Sequence, residues 1–353
     1  MKKVIAIALS LLLIISLLPM AAFAKADTEE IQAKMEAARD YLYGSKTEFT
    51  AAEGGDFYFY LMSFPENAES LKAGYIQSVK DAFDAGTMNT ADRVAIAANC
   101  LMLLGEDTEN FELNDGSKIN LEEKMMEYGT TVDSPYNYYF ILTQATDETY
   151  RQQVIDTIEA NYTKGSGYDY WGFGTDNTAN FGAIEAAGIY NQELIDDATE
   201  VVEKAKVDKG YYYLADYGTA ANGNSTACAL FFYAMNRDEE RADEAYRLLV
   251  ENFAREDGGF AYELDKESNA YATKDAYKAL ITYLWVDFSD DTADEEKEIT
   301  DTEEPVVDET LDAAAPTGKQ STPATGDSFT AVAVAGSALL ALGVALALRK
   351  KED

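Results

Sequence analysis

The chain has 353 residues, 64 acidic against 28 basic, no histidine and two cysteines, for a formal net charge of −36. Such a surface repels nucleic acid and anionic lipid. Without imidazole there are no Ser-His or Cys-His nucleophiles, no HExxH zinc site and no histidine proton relay, and two cysteines cannot make a disulfide scaffold.

In chain order, Lys2 and Lys3 precede an apolar run from Val4 to Leu18, then Pro19 and the small-residue site Ala22, Phe23, Ala24. This predicts a secretory signal peptide over residues 1–24. From Asp27 to Val286 apolar residues recur at helical spacing and period-two alternation is scarce, so residues 27–286 are expected to form an all-α domain. Candidate caps at Thr90, Ser134 (before Pro135), Asn177, Asn224 and Asn269 recur with a period close to 45, one helical hairpin per unit.

Six mainly apolar helices are predicted at roughly 52–64, 90–104, 134–144, 177–189, 224–235 and 271–285. Six amphipathic ones alternate with them, at roughly 27–43, 66–84, 118–128, 147–162, 193–206 and 237–254. A helix apolar on nearly all sides must be enclosed, and an amphipathic one can cover it. The expected fold is therefore a closed (α/α)6 toroid of six helical hairpins. An open solenoid with the same period would need a polar capping repeat, whereas the last helix, "YKALITYLW", is as apolar as the middle ones. Cys100 and Cys228 fall inside apolar helical stretches and are expected to be buried free thiols.

Three connections from a covering helix to an enclosed one share a Gly-aromatic character: "GSGYDYWGFGTDNTA" from Gly165, "KGYYYLADYGTAANGNSTA" from Lys209 and "DGGFAYELDKESNAYATKDA" from Asp257. Glycine would end the outer helix, the aromatics would wedge the reversal and Asn or Asp would cap the inner helix. The first turn offers Tyr168, Tyr170, Trp171 and Phe173, the second Tyr211 and Tyr213, the third Phe260, Tyr262 and Tyr271. Gathered at one mouth with Asn177, Asn224 and Asn269, they form the predicted ligand-binding surface, suited to a planar or partly apolar ligand or a sugar face.

Residues 287–321 are nearly all acidic, Thr, Pro and Ala, and read as a disordered, solvated linker. They lead to "STPATGDSF", an apolar run at 329–348 expected to form a transmembrane helix, and the cations Arg349, Lys350 and Lys351.

This tail resembles a Gram-positive cell-wall sorting signal of the LPxTG type over residues 322–353, with Thr322, Pro323, Ala324, Thr325 and Gly326 on the motif. The resemblance implies cleavage by a sortase between Thr325 and Gly326, linkage of Thr325 to peptidoglycan and a membrane-inserted precursor. Thr322 stands where Leu is usual, which leaves open the sortase concerned; a plain C-terminal membrane anchor is the alternative. Either places the protein outside the cell.

The turn "GGF-x-Y" followed by the "AT..AYKAL" helix resembles the repeat of prenyltransferases and squalene or terpene cyclases, most clearly over Gln153 to Trp285. That superfamily is built on the α/α toroid, as are cobalamin carriers and the complement thioester domain. Its reactive groups are missing here: there is no DxDD in residues 27–286, no histidine for a zinc set and no CGEQ at Cys100 or Cys228. "NDG" at 114–116 would place Phe111, with no side-chain oxygen, first in a calcium loop. No catalytic residue, metal or cofactor is expected, and the domain reads as a non-catalytic binding module for an unidentified extracellular ligand. The alternative is a cyclase-like or glycan-processing enzyme with paired carboxylates, drawn from Asp56, Asp92, Asp176 and Asp216.

Overall fold

The computed structural model describes residues 27–288. The predicted signal peptide, nearly all of the acidic linker, the sorting motif and the helix at 329–348 lie outside the described residues. The described residues are mostly helical, with twelve α-helices in alternation. The covering set is α1 (Thr28–Tyr43), α3 (Ala68–Asp84), α5 (Leu121–Glu127), α7 (Glu148–Glu159), α9 (Gln192–Lys204) and α11 (Glu239–Phe253). The enclosed set is α2 (Gly54–Ser63), α4 (Ala91–Leu103), α6 (Tyr138–Gln144), α8 (Thr175–Ile184), α10 (Gly223–Met235) and α12 (Ala270–Trp285).

The two sets bury their residues as their sequences require. In α10, "GNSTACALFFYAM", every residue but Asn224 is buried. In α9 only Ile195, Ala198 and Val202 are buried, one stripe at helical spacing with the charged residues left in water. Cys100 in α4 and Cys228 in α10 are buried and unpaired.

Packing runs from α2 to α4 to α6, then to the π-helical turn Glu185–Ile189 that continues α8, and on through α10 to α12. Helix α12 packs back against α1 and α2. Across that junction Lys274 Nζ lies 2.6 Å from Asp56 Oδ2, Tyr277 Oη donates to the Phe59 carbonyl at 3.4 Å, and Ser63 and Tyr277 share a hydroxyl hydrogen bond.

The reversals contain short antiparallel pairs that helical periodicity does not signal: β1 (Phe111–Glu112) with β2 (Lys118–Ile119), β3 (Tyr162–Thr163) with β4 (Gly167–Tyr168), and β5 (Lys206–Val207) with β6 (Gly210–Tyr211). One construction recurs in the three Gly-aromatic turns. The aromatic residue after a glycine, Tyr168, Tyr211 or Phe260, is fully buried, and a threonine from the start of the next enclosed helix meets the pair: Thr178 lies against Gly167, Thr226 against Gly210, and Thr273 bonds Phe260 N. Thr226 Oγ1 accepts from Tyr211 N at 3.0 Å and Thr273 Oγ1 from Phe260 N at 2.8 Å. Gly167 and Gly210 have positive φ, and a Cβ on either would collide with Thr178 or Thr226.

Two expected caps move. Asn269 caps α12, accepting from Tyr271 N and Ala272 N, and Thr90 stands before α4. Helix α10, however, is capped by Asn222, whose amide oxygen accepts from Ser225 N at 2.8 Å, and α8 begins after Gly174. Asn224 and Asn177 sit inside the first turns instead. Asn222 has the extended backbone that lays a side chain over a helix start, and Gly223 N is held by the Tyr262 carbonyl at 2.8 Å, so the cap stands two residues earlier than expected. Ser134 precedes a 3-10 turn, Pro135–Asn137, that leads into α6.

Candidate functional site: the central cavity

Residues of α2, α6, α8, α10 and α12, with the turn that leads into α6, line a cavity of about 240 Å³. Its walls are aromatic, with Tyr58 and Phe59 from α2, Tyr139 and Phe140 from α6, Phe231 from α10 and Trp285 from α12. A dry cavity of ~150 Å³ holds a benzene ring, so this one has room for an aromatic ring carrying a short side chain.

Its polar lining comes mainly from the starts of three helices. Helix α12 carries Lys274, Asp275 and Lys278, charges on an otherwise apolar, enclosed segment. Lys274 is occupied by Asp56. Lys278 Nζ donates to Asn180 Oδ1 at 2.7 Å and lies 3.7 Å from the centroid of the Phe231 ring. Asp275 Oδ2 accepts from Asn224 Nδ2 at 2.5 Å. Asn180 is itself fixed, donating to the Asp176 carbonyl at 2.8 Å and to Cys228 Sγ at 3.3 Å, while Asp176 Oδ1 accepts from Ser225 Oγ at 2.5 Å. The starts of α8, α10 and α12 are thus stitched together by one part-buried polar network.

Burial sets its electrostatics, because desolvation penalises whichever form is charged. It pushes the Asp176 carboxyl up to about 7, against the Ser225 hydrogen bond, with the neighbouring Asp275 pushing the same way. Asp275 is raised by burial, against Lys278 and Asn224. Lys278 is lowered by burial, with Cys228 and Asp275 opposing. Burial also lifts the Cys228 thiol well above its usual range, which makes it inert.

None of the twelve residues predicted to bind a ligand lines this cavity. Tyr168, Tyr211 and Phe260 are wedges in the core. Tyr170 stacks on Phe181 at 4.2 Å, and Phe173 and Tyr213 are half-buried, Tyr213 against Gly174. Trp171, Tyr262 and Tyr271 are exposed, Trp171 edge-on to Tyr136 at 5.2 Å. Asn177 accepts from Tyr136 Oη at 2.5 Å, Asn224 holds Asp275 and Asn269 is a cap. Tyr136 is the link between the turn aromatics and the cavity, touching Trp171 and Asn177 while lining the wall.

The four candidate aspartates also separate. Asp56 lines the cavity as the partner of Lys274, Asp176 belongs to the network, Asp92 is wholly buried among hydrogen-bond donors and Asp216 is exposed in a turn. Sequence reasoning passed over Asn180, Asp275 and Lys278. For Asp275 and Lys278 the signal was present: charges three residues apart on a helix that must be enclosed have to face something polar. Among the described residues no group of three or more carboxylate or cysteine side chains is placed to hold a metal ion.

No family model matches the chain, and no curated protein matches it. Among solved structures it is similar to a variant of the type II terpene cyclase MstE from Scytonema, in complex with its substrate geranylgeranyl dihydroxybenzoate. The TM-score is 0.47 and the identity 13%, over 73% of this chain and 98% of that one.

Proposed function

We propose that this protein is a secreted, cell-wall-anchored toroid that binds a small, largely apolar extracellular ligand in its central cavity without transforming it. The aromatic cavity carries the reading: seven aromatic side chains with one fixed polar cluster at its edge are what a ligand with an apolar body and a polar end requires. The return of α12 onto α1 and α2 supports treating the twelve helices as six hairpins closed into an (α/α)6 ring. Chain isolated from its native source should carry a small molecule, detected by native mass spectrometry. Met235→Trp, which fills the cavity from the end of α10, should lower its retention by about tenfold or more while costing roughly 1–3 kcal/mol of stability at most. Full retention in that variant would move the site elsewhere.

One observation favours a second reading, a cyclase-like enzyme that starts its reaction by protonation. Asp176, raised to about 7 beside Asp275, is a carboxylic acid still partly protonated at neutral pH. Turnover of a bound isoprenoid, abolished by Asp176→Asn with binding retained, would establish it. Glycan processing is disfavoured by the cavity's size.

The anchoring part of the proposal rests on the pentapeptide Thr322 to Gly326 and the apolar and cationic segments behind it. Thr325→Ala is expected to leave the protein extractable from cells by detergent, whereas the native protein is released only by cutting the wall. A variant that stays covalently wall-linked would refute the assignment.

A further inference from the structure

Lys278 is a cation enclosed by aromatic walls, and its ammonium bonds a neutral amide oxygen, not a carboxylate. Among the described residues no carboxylate oxygen lies within 4.0 Å of it, whereas Lys274, one turn earlier, has Asp56 at 2.6 Å. The nearby Asp275 is turned to Asn224, and Asp176 to Ser225. A lysine ammonium has three donors. Asn180 accepts one of them, the Phe231 ring lies 3.7 Å from the ammonium on another side, and the side chain lines the cavity. A half-buried charge without a contacting counter-ion carries a desolvation cost, and a ligand that supplies one recovers part of it.

We infer that the ligand is a small carboxylic acid with a flat or apolar body, bound with its carboxylate on Lys278 and its body between Phe231, Phe140 and Trp285. This rests on the reading of the cavity as the binding site. The dimensions fit an arylalkanoic acid better than a long-chain lipid. The pairing also accounts for two charges on one enclosed helix: Lys274 closes the ring by holding Asp56, and Lys278 is left for the ligand. Asn180, pinned from two sides, is a positioning residue that holds the ammonium at the cavity wall.

The test compares 3-phenylpropanoate with its uncharged amide by isothermal titration calorimetry on the full chain at neutral pH. The acid is expected to bind about tenfold or more tightly than the amide, the difference that one charge-assisted contact makes. In Lys278→Met the two should bind alike, with the amide's affinity kept, and Lys278→Arg should restore part of the preference. Equal binding of acid and amide to the native chain would overturn the inference and leave the cavity reading standing. Failure of both probes to bind would overturn the inference and count against the cavity as well, and an acid preference that survives Lys278→Met would place the anion site elsewhere.

Discussion

Replacing Asp92 by alanine is expected to destabilise the protein by about 3–5 kcal/mol, the usual consequence of removing one member of a fully satisfied buried network. Asp92 is inaccessible to solvent, and five donors point at its carboxylate. Oδ1 accepts from Thr90 Oγ1 at 2.5 Å and Arg93 N at 3.0 Å; Oδ2 accepts from Asp133 N at 2.9 Å, Ser134 N at 3.4 Å and Asn137 Nδ2 at 2.8 Å. The side chain therefore fixes the start of α4 and, more than 40 residues later, the entry to α6. Alanine leaves those part-buried donors without their shared acceptor. Asp92→Asn keeps the volume but brings an NH2 group against donors, and should be nearly as harmful. Urea unfolding measures both, with Asp56→Ala as the comparison, since loss of that half-exposed pair should cost no more than ~1 kcal/mol. An Asp92→Ala loss below ~1.5 kcal/mol would show that the clamp is dispensable.

Stability should fall as pH rises from about 5 to about 8.5, by an amount on the order of 2–5 kcal/mol. Two buried carboxyls cause it. Asp176 is raised to about 7 by burial, helped by Asp275 and opposed by Ser225. Glu185, wholly buried in the π-helical turn, is raised to about 8 by burial, opposed by the hydrogen bond from Tyr168 Oη at 2.8 Å and helped by Glu159. In the unfolded chain both titrate near pH 4, so above that pH the native state holds protons that the unfolded state has released. Their stabilising effect is whole below the unfolded value and fades as pH passes the folded values of about 7 and 8. Asp275, also raised, acts in the same sense, and Lys278, lowered, in the opposite one at higher pH. Chemical denaturation at pH 5, 6.5 and 8.5 reads the slope. Asp176→Asn and Glu185→Gln should each flatten it, and a native chain as stable at 8.5 as at 5 would mean that neither carboxyl is kept protonated.

The helices were legible because their signals are local. Continuous small and apolar residues marked α10 and α12 for enclosure, and the stripe of Ile195, Ala198 and Val202 marked α9 as a cover. The Gly-aromatic turns were legible as turns, but not the division of labour within them. Whether Tyr211 is a wedge or Tyr271 a surface ring depends on which side of the reversal faces the next helix, and only the placement of Thr226 and Thr273 decides that. Asn222 and Asn224 differ in backbone conformation, which an amino-acid letter does not carry.

By itself the sequence determined the alternation of enclosed and covering helices, the burial of both cysteines and the absence of histidine chemistry, since these follow from side-chain type and short-range periodicity. The tertiary structure alone decided where a ligand has room and which charges meet. Lys274 and Asp56 stand 218 positions apart, and Lys278 faces Asn180 across 98. Whether a lysine is neutralised by an aspartate or left facing an aromatic cavity depends on distance and desolvation between elements that local patterns do not relate.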